Sequence, residues 1–121
     1  MLIKADQSLL LIIDIQERLA PAIHEGEAVI AHNLWLTGVA RRLAVPVLAT
    51  VQYPRGLGAT VPALAEMLAP EEVVEKIHFS AVADGCLDEL PALARRQVVI
   101  TGTETHVCVL QTALDLLGRG K

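Results

Sequence analysis

The sequence predicts an α/β domain of three layers, with helices on both faces of a parallel sheet in Rossmann-like order. Three observations carry this expectation. Leu9-Leu10-Leu11-Ile12-Ile13 is an unbroken aliphatic run without alternation, the pattern of a strand covered on both faces. Similar runs recur at Val47–Val51 and Gln97–Thr101, with helical periodicity between them, as right-handed crossovers onto a parallel sheet require. Several of the runs are followed at once by residues able to do chemistry. With 121 residues, positions 1–121 are read as a single domain, which buries about two-thirds of the surface its unfolded chain exposes.

The first strand, Leu9 to Ile13, opens at Ser8 and closes at Asp14. A carboxylate at the carboxyl end of a central parallel strand stands where open α/β sheets bind ligands, although Asp also serves as a simple cap. From Glu27 to Leu43, Val29, Ile30, Leu34, Leu36, Val39, Ala40 and Leu43 recur near helical spacing, giving an amphipathic cover helix. His24 and His32 have no partner at metal-ligand spacing and are read as solvated or core-edge residues. Val45-Pro46 breaks that helix and introduces the second strand.

A Gly- and Pro-bearing loop from Gln52 to Thr60 follows, and loops after parallel strands carry function disproportionately. Gln52 and Tyr53 are candidates for a pocket wall and Arg55 for meeting an anionic group; a plain connector is the alternative. Its glycines lack the spacing of a phosphate cradle. Val61 to Leu68 reads as a short helix or turn, and a third short strand ends near Lys76. A lysine there, facing the crevice beside Asp14, would be paired and partly desolvated, although exposed lysine is the commoner state. Leu87 to Arg96 reads as a short helix with Leu87, Leu90 and Leu93 on one side, and Cys86 before it as structural.

The fourth strand, Gln97 to Thr101, runs into Gly102-Thr103-Glu104-Thr105-His106-Val107-Cys108, and a last helix extends to Gly118 as its cap residue. Cys108 falls in that helix's first turn, where unpaired N–H groups and the positive end of the dipole would acidify a thiol. A small buried apolar role is the alternative for this cysteine.

Composition narrows the field. The net charge is −4 with dispersed Lys and Arg, and the only aromatics are Trp35, Tyr53 and Phe79, which argues against a nucleic-acid partner. The apolar run before Asp14 is too short for a membrane span or a signal segment. Two cysteines without zinc-type spacing fit a reducing compartment, so a cytoplasmic location is expected. An apolar fraction of 53% leaves surface for something to cover, and a homo-oligomer is expected.

Taken together, Leu-Leu-Ile-Ile-Asp-Ile-Gln, Lys76-Ile77-His78-Phe79-Ser80-Ala81 and Gly102–Cys108 with Gln111-Thr112 resemble three motifs of the isochorismatase-like cysteine hydrolases. Gln52–Gly58 with Thr60-Val61-Pro62 resembles the branch of isochorismatase domain-containing proteins. The resemblance implies a Cys108–Asp14–Lys76 triad acting on a small amide or related acyl compound through a thioester. It also implies a cis peptide at Thr103–Glu104 and an oxyanion hole from the backbone N–H groups of Glu104 and Cys108. Gln52, Tyr53, Phe79 and His106 are expected around the triad. No metal or cofactor is expected, because Gln52-Tyr53-Pro54 replaces the Asp/His cluster of the metal-binding nicotinamidases.

The family's domains continue beyond the helix after the cysteine, so this chain is expected to be incomplete at its C-terminus, with further strands missing and the fourth left as an edge. The alternative function is that of an inactive or weakly active relative serving as a binding or interaction protein.

Overall fold

The structure, a computed structural model, describes residues 1–121. Its elements in chain order are β1 (Ser8–Ile13), α1 (Gly26–Arg42), β2 (Val47–Gln52), α2 (Pro54–Leu57), α3 (Pro62–Ala65), β3 (Val73–Lys76), α4 (Ala81–Asp84), β4 (Gln97–Gly102) and α5 (Leu110–Gly118). A single π-helical turn, Thr105–Val109, joins β4 to α5. No helix is long and apolar enough to cross a membrane.

All four strands are parallel, in the order β3-β2-β1-β4. The chain therefore steps outward from β1 through β2 to β3, then returns to the other side of β1 for β4. This reversal makes the carboxyl ends of β1 and β4 the switch point of the sheet, where such folds open a crevice.

The aliphatic run of β1 is buried along its whole length because alternate residues serve opposite faces. Leu9, Leu11 and Ile13 pack with Ala81, Val82, Leu87, Cys108 and Leu116 on one side. Leu10 and Ile12 pack with Ala40 of α1 and Leu64 of α3 on the other. The result is the three-layer α/β fold expected from the sequence.

Gly102 is paired with Ile13 across β1 and β4, at φ 122°. A Cβ there would lie 2.0 Å from the Ile13 carbonyl oxygen and 2.6 Å from its nitrogen, so only glycine permits this approach.

Two helical expectations fail. No helix spans Leu87–Arg96: α4 lies earlier, a left-handed Gly85 ends it, and only a 3-10 turn forms at Pro91–Ala94. Pro91 cannot donate to a preceding turn, and the leucine spacing there marks burial, with Leu87 wholly enclosed. Gly118 is the last helical residue of α5; Arg119 follows as cap and Gly120 takes the positive φ.

Candidate active site

Asp14 leaves β1 directly into a left-handed backbone at φ 51°, a conformation that Asp tolerates better than most residues. Its peptide is tied on both sides of the switch point: Asp14 N donates to Thr50 O at 3.2 Å, and Thr103 Oγ1 donates to Asp14 O at 2.9 Å. The backbone turn drops the carboxylate into the crevice, where it is completely buried. There Thr50 Oγ1 donates to Oδ1 at 2.7 Å and Lys76 Nζ to Oδ2 at 3.0 Å.

Lys76 ends β3 and reaches past the end of β2 to make this pair, in which both side chains are fully enclosed. Its ammonium also donates to Gln52 Oε1 at 2.6 Å, Phe79 O at 3.0 Å and His78 O at 3.2 Å. A buried charge pair costs several kcal/mol per ion in desolvation and is tolerated when its remaining protons and lone pairs find partners, as here.

Cys108 lies in the π-helical turn and is buried against the β1 face. Its thiol is close enough to Asp14 and Lys76 for both to bear on its titration. Burial first, then hydrogen bonding to and the charge of Asp14, push the thiol up to about 11, with Lys76 pulling it back. The acidified thiol expected from a helix start is therefore not what the fold provides. The π turn delays α5 until Leu110, and the charge of Asp14 opposes that of a thiolate. The protein holds a protonated thiol beside an acceptor at neutral pH. Cys86 is likewise pushed up to about 11, by burial and then by Asp84.

The expected pocket residues occupy different stations. Gln52 is committed to the lysine: besides accepting from Nζ, its Nε2 donates to Ile77 O at 2.9 Å. Tyr53 and Phe79 stand at the rim, 54% and 53% exposed. Tyr53 N donates to Lys76 O at 2.9 Å, and Phe79 offers its carbonyl to Nζ. His106 is exposed and makes no polar contact. Glu104 is half-buried, the Thr103–Glu104 peptide is cis, and the Glu104 N–H has no partner within the chain. A groove of about 350 Å3 runs past Tyr53, Arg55, Glu75, Lys76, Ile77 and Asp84. A larger cleft of about 500 Å3, between Glu17 and Ile30, is lined by none of Asp14, Lys76 and Cys108. No group of three or more His, Cys, Asp or Glu comes together in a way that would hold a metal ion.

Three residues essential to this geometry are given no role of their own by sequence reasoning, although Gln16 and Thr103 lie within the motifs quoted above. Thr50 and Thr103 hold Asp14, and wholly buried Gln16 fastens β1 to β2, its Nε2 donating to Gln52 O at 2.9 Å and Gly58 O at 2.8 Å while its Oε1 accepts from Gln52 N at 2.7 Å. A lone threonine inside a buried strand was the available signal for Thr50.

The isochorismatase domain model matches residues 8–121. The chain is 46% identical over 110 residues to isochorismatase domain-containing protein 1 of Salmo salar, a match covering 88% of this chain and 38% of that protein. It is 41% identical over 117 residues to isochorismatase domain-containing protein 2 of Rattus norvegicus, covering 95% and 54%. A Caenorhabditis elegans structure described as MAR1 ribonuclease shares the fold with a TM-score of 0.87 and 40% identity, over 98% of this chain and 61% of that one. The chain thus spans 38% to 61% of the lengths of these relatives.

Proposed function

The chain belongs to the isochorismatase family, and on that footing we propose that it hydrolyses a small amide or related acyl compound with Cys108 as nucleophile, Asp14 as base and acid, and Lys76 as the partner of Asp14. The observation that carries this reading is the fully enclosed Lys76–Asp14 pair at 3.0 Å, with the Cys108 thiol near enough for both groups to shift its titration. A thiol pushed up to about 11 is a poor standing nucleophile, so its proton must leave as the sulfur attacks.

Asp14 takes that proton while Sγ bonds to the substrate's carbonyl carbon. The tetrahedral oxyanion is met by backbone N–H groups, for which the unpartnered Glu104 N–H and that of Cys108 are the candidates. Asp14 then gives the proton to the departing amine nitrogen as the C–N bond breaks, leaving a thioester on Cys108. Water attacks the thioester carbon with Asp14 as base, and the C–S bond breaks with return of the proton to sulfur. The products are a carboxylic acid and an amine. Tyr53 and Phe79 at the rim suit a substrate with an apolar flank.

The ribonuclease description of the C. elegans neighbour gives a competing reading. Against it stand the net charge of −4 and the commitment of Lys76 to Asp14, which withholds the buried cation from a phosphate.

A panel of small amides, assayed with the wild-type chain and with Cys108→Ala, tests the proposal. At least one amide should be turned over, and the variant should lose about a thousandfold or more. Undiminished turnover by Cys108→Ala would remove the nucleophile and the mechanism with it.

A further inference from the structure

Asp84 stands outside the triad, yet three donors converge on one of its oxygens. Oδ2 accepts from Ile77 N at 2.9 Å, His78 N at 3.0 Å and His78 Nδ1 at 2.9 Å. Each of the two peptide units involved is also held at its carbonyl end. Lys76 O accepts from Tyr53 N, and Ile77 O accepts from Gln52 Nε2. A peptide unit is planar, so a unit gripped at N–H and C=O has no freedom left to rotate. The carbonyls that come next, those of His78 and Phe79, are the ones that receive Lys76 Nζ.

Asp84 itself is anchored to the cysteine side of the site. It closes α4, whose cap Ser80 accepts from Val82 N and Ala83 N and donates to Asp115 Oδ2 at 2.6 Å. Ala81 N donates to Thr112 Oγ1 at 3.1 Å, which fixes α4 to α5, the helix that follows Cys108.

We propose that Asp84 is a positioning residue: it clasps the Ile77–Phe79 turn so that the His78 and Phe79 carbonyls confine the Lys76 ammonium against Asp14 and Cys108. The inference rests on the role given to Lys76 above. Burial pushes the Asp84 carboxyl up, but the His78 and Ile77 donors outweigh it and hold it below the usual range, so the clasp is charged at neutral pH.

The two cysteines report on the clasp in opposite senses. Lys76 lowers the Cys108 thiol, whereas at Cys86 the charge of Asp84 raises the thiol and outweighs a smaller lowering by Lys76. Iodoacetamide labelling of each cysteine against pH, resolved by mass spectrometry, therefore reads the proposal without any substrate. In Asp84→Ala the Cys108 profile should move up by about one unit, a tenfold slower labelling at pH 8, while Cys86 labels faster. General loosening of the fold would relieve burial at both thiols and move both down, which would overturn the proposal, as would an unmoved Cys108.

Asp84→Asn keeps an acceptor oxygen but loses the charge, so Cys86 should label faster to about the same degree as in Asp84→Ala, while the Cys108 profile moves up by less. If Asp84→Ala does not fold, this variant decides, and a wild-type Cys108 profile in it rejects the clasp. His78→Ala leaves both backbone donors in place and should leave Cys108 labelling within about twofold of wild type; a loss equal to that of Asp84→Ala would overturn the backbone clasp. Absence of amide turnover would defeat the hydrolase reading while leaving these labelling shifts to stand or fall alone.

Discussion

At the scale of single residues, the state of Cys108 decides how the site must work. Its thiol is pushed up to about 11 by burial and by Asp14, so the carboxylate cannot serve by sustaining a resting thiolate. Two consequences of Asp14→Asn then separate. Turnover should be lost, because no base remains, while iodoacetamide labelling of Cys108 at pH 8 should quicken, because the group that raised the thiol has lost its charge. Asn tolerates the left-handed backbone at position 14, so the turn itself is kept, although the buried lysine loses its charged partner. Site-resolved labelling beside the amide assay measures both effects, and parallel loss of labelling and turnover would contradict the coupled proton transfer. The places of Asp14, Lys76 and Cys108 in the fold were legible in the sequence because each stands where an apolar run or a strand-turn-helix pattern ends. Thr50 and Thr103 were not, since their value depends on register: only the pairing of Ile13 with Thr50 and with Gly102 brings both hydroxyls to Asp14.

Among the elements, the strands and the long cover helix were readable because burial on both faces, or on one helical stripe, leaves a mark several residues long. Of the one-turn helices, only α3 was read in advance, as a short helix or turn within Val61 to Leu68. The four residues of α4 carry no periodicity, and the capping by Ser80 that defines them depends on its contact with α5. Interactions between elements are likewise invisible until the fold exists, as at Arg41 of α1 and Glu72. There Nη1 and Nη2 donate to Oε2 and Oε1 at 2.7 and 2.6 Å, with the arginine side chain 38% exposed. The Arg41 hydrogen bonds lower the Glu72 carboxyl against opposing burial, and the Ala69 backbone N–H adds to the effect. A carboxyl lowered by folding stabilises above its unfolded value, about 4.3, and that stabilisation vanishes as pH falls through the folded value. Glu72→Gln should therefore cost about 0.5–1 kcal/mol at pH 7, discounted for solvent screening, and less at pH 3. Urea denaturation at the two pH values measures it, and an equal cost at both would show that charge is not the cause.

At the scale of the whole chain, the first strand is completely buried and the fourth lies at the edge of the four-stranded sheet. All six residues of β4 are only half-buried, and β4 is an outer strand of the sheet, a row of main-chain donors and acceptors open to another chain. On the neighbouring α5, Leu110, Leu114 and Leu117 are 48%, 57% and 66% exposed, while Thr112 and Leu116 take the core-facing side. Leucines spaced four and three apart form one stripe, and an apolar stripe beside an open strand favours association over solvation. Leu110 lies two residues beyond Cys108, so any chain docked on the stripe borders the proposed site. We expect the chain to self-associate, with a sedimentation coefficient that rises with concentration. Leu114→Lys with Leu117→Lys should shift it to the monomer, because two charges on the stripe would have to be desolvated in the contact. Both positions face away from the core, so the variant should unfold at a urea concentration close to that of wild type. A wild-type chain that sediments as a monomer at every concentration would leave the stripe without this role.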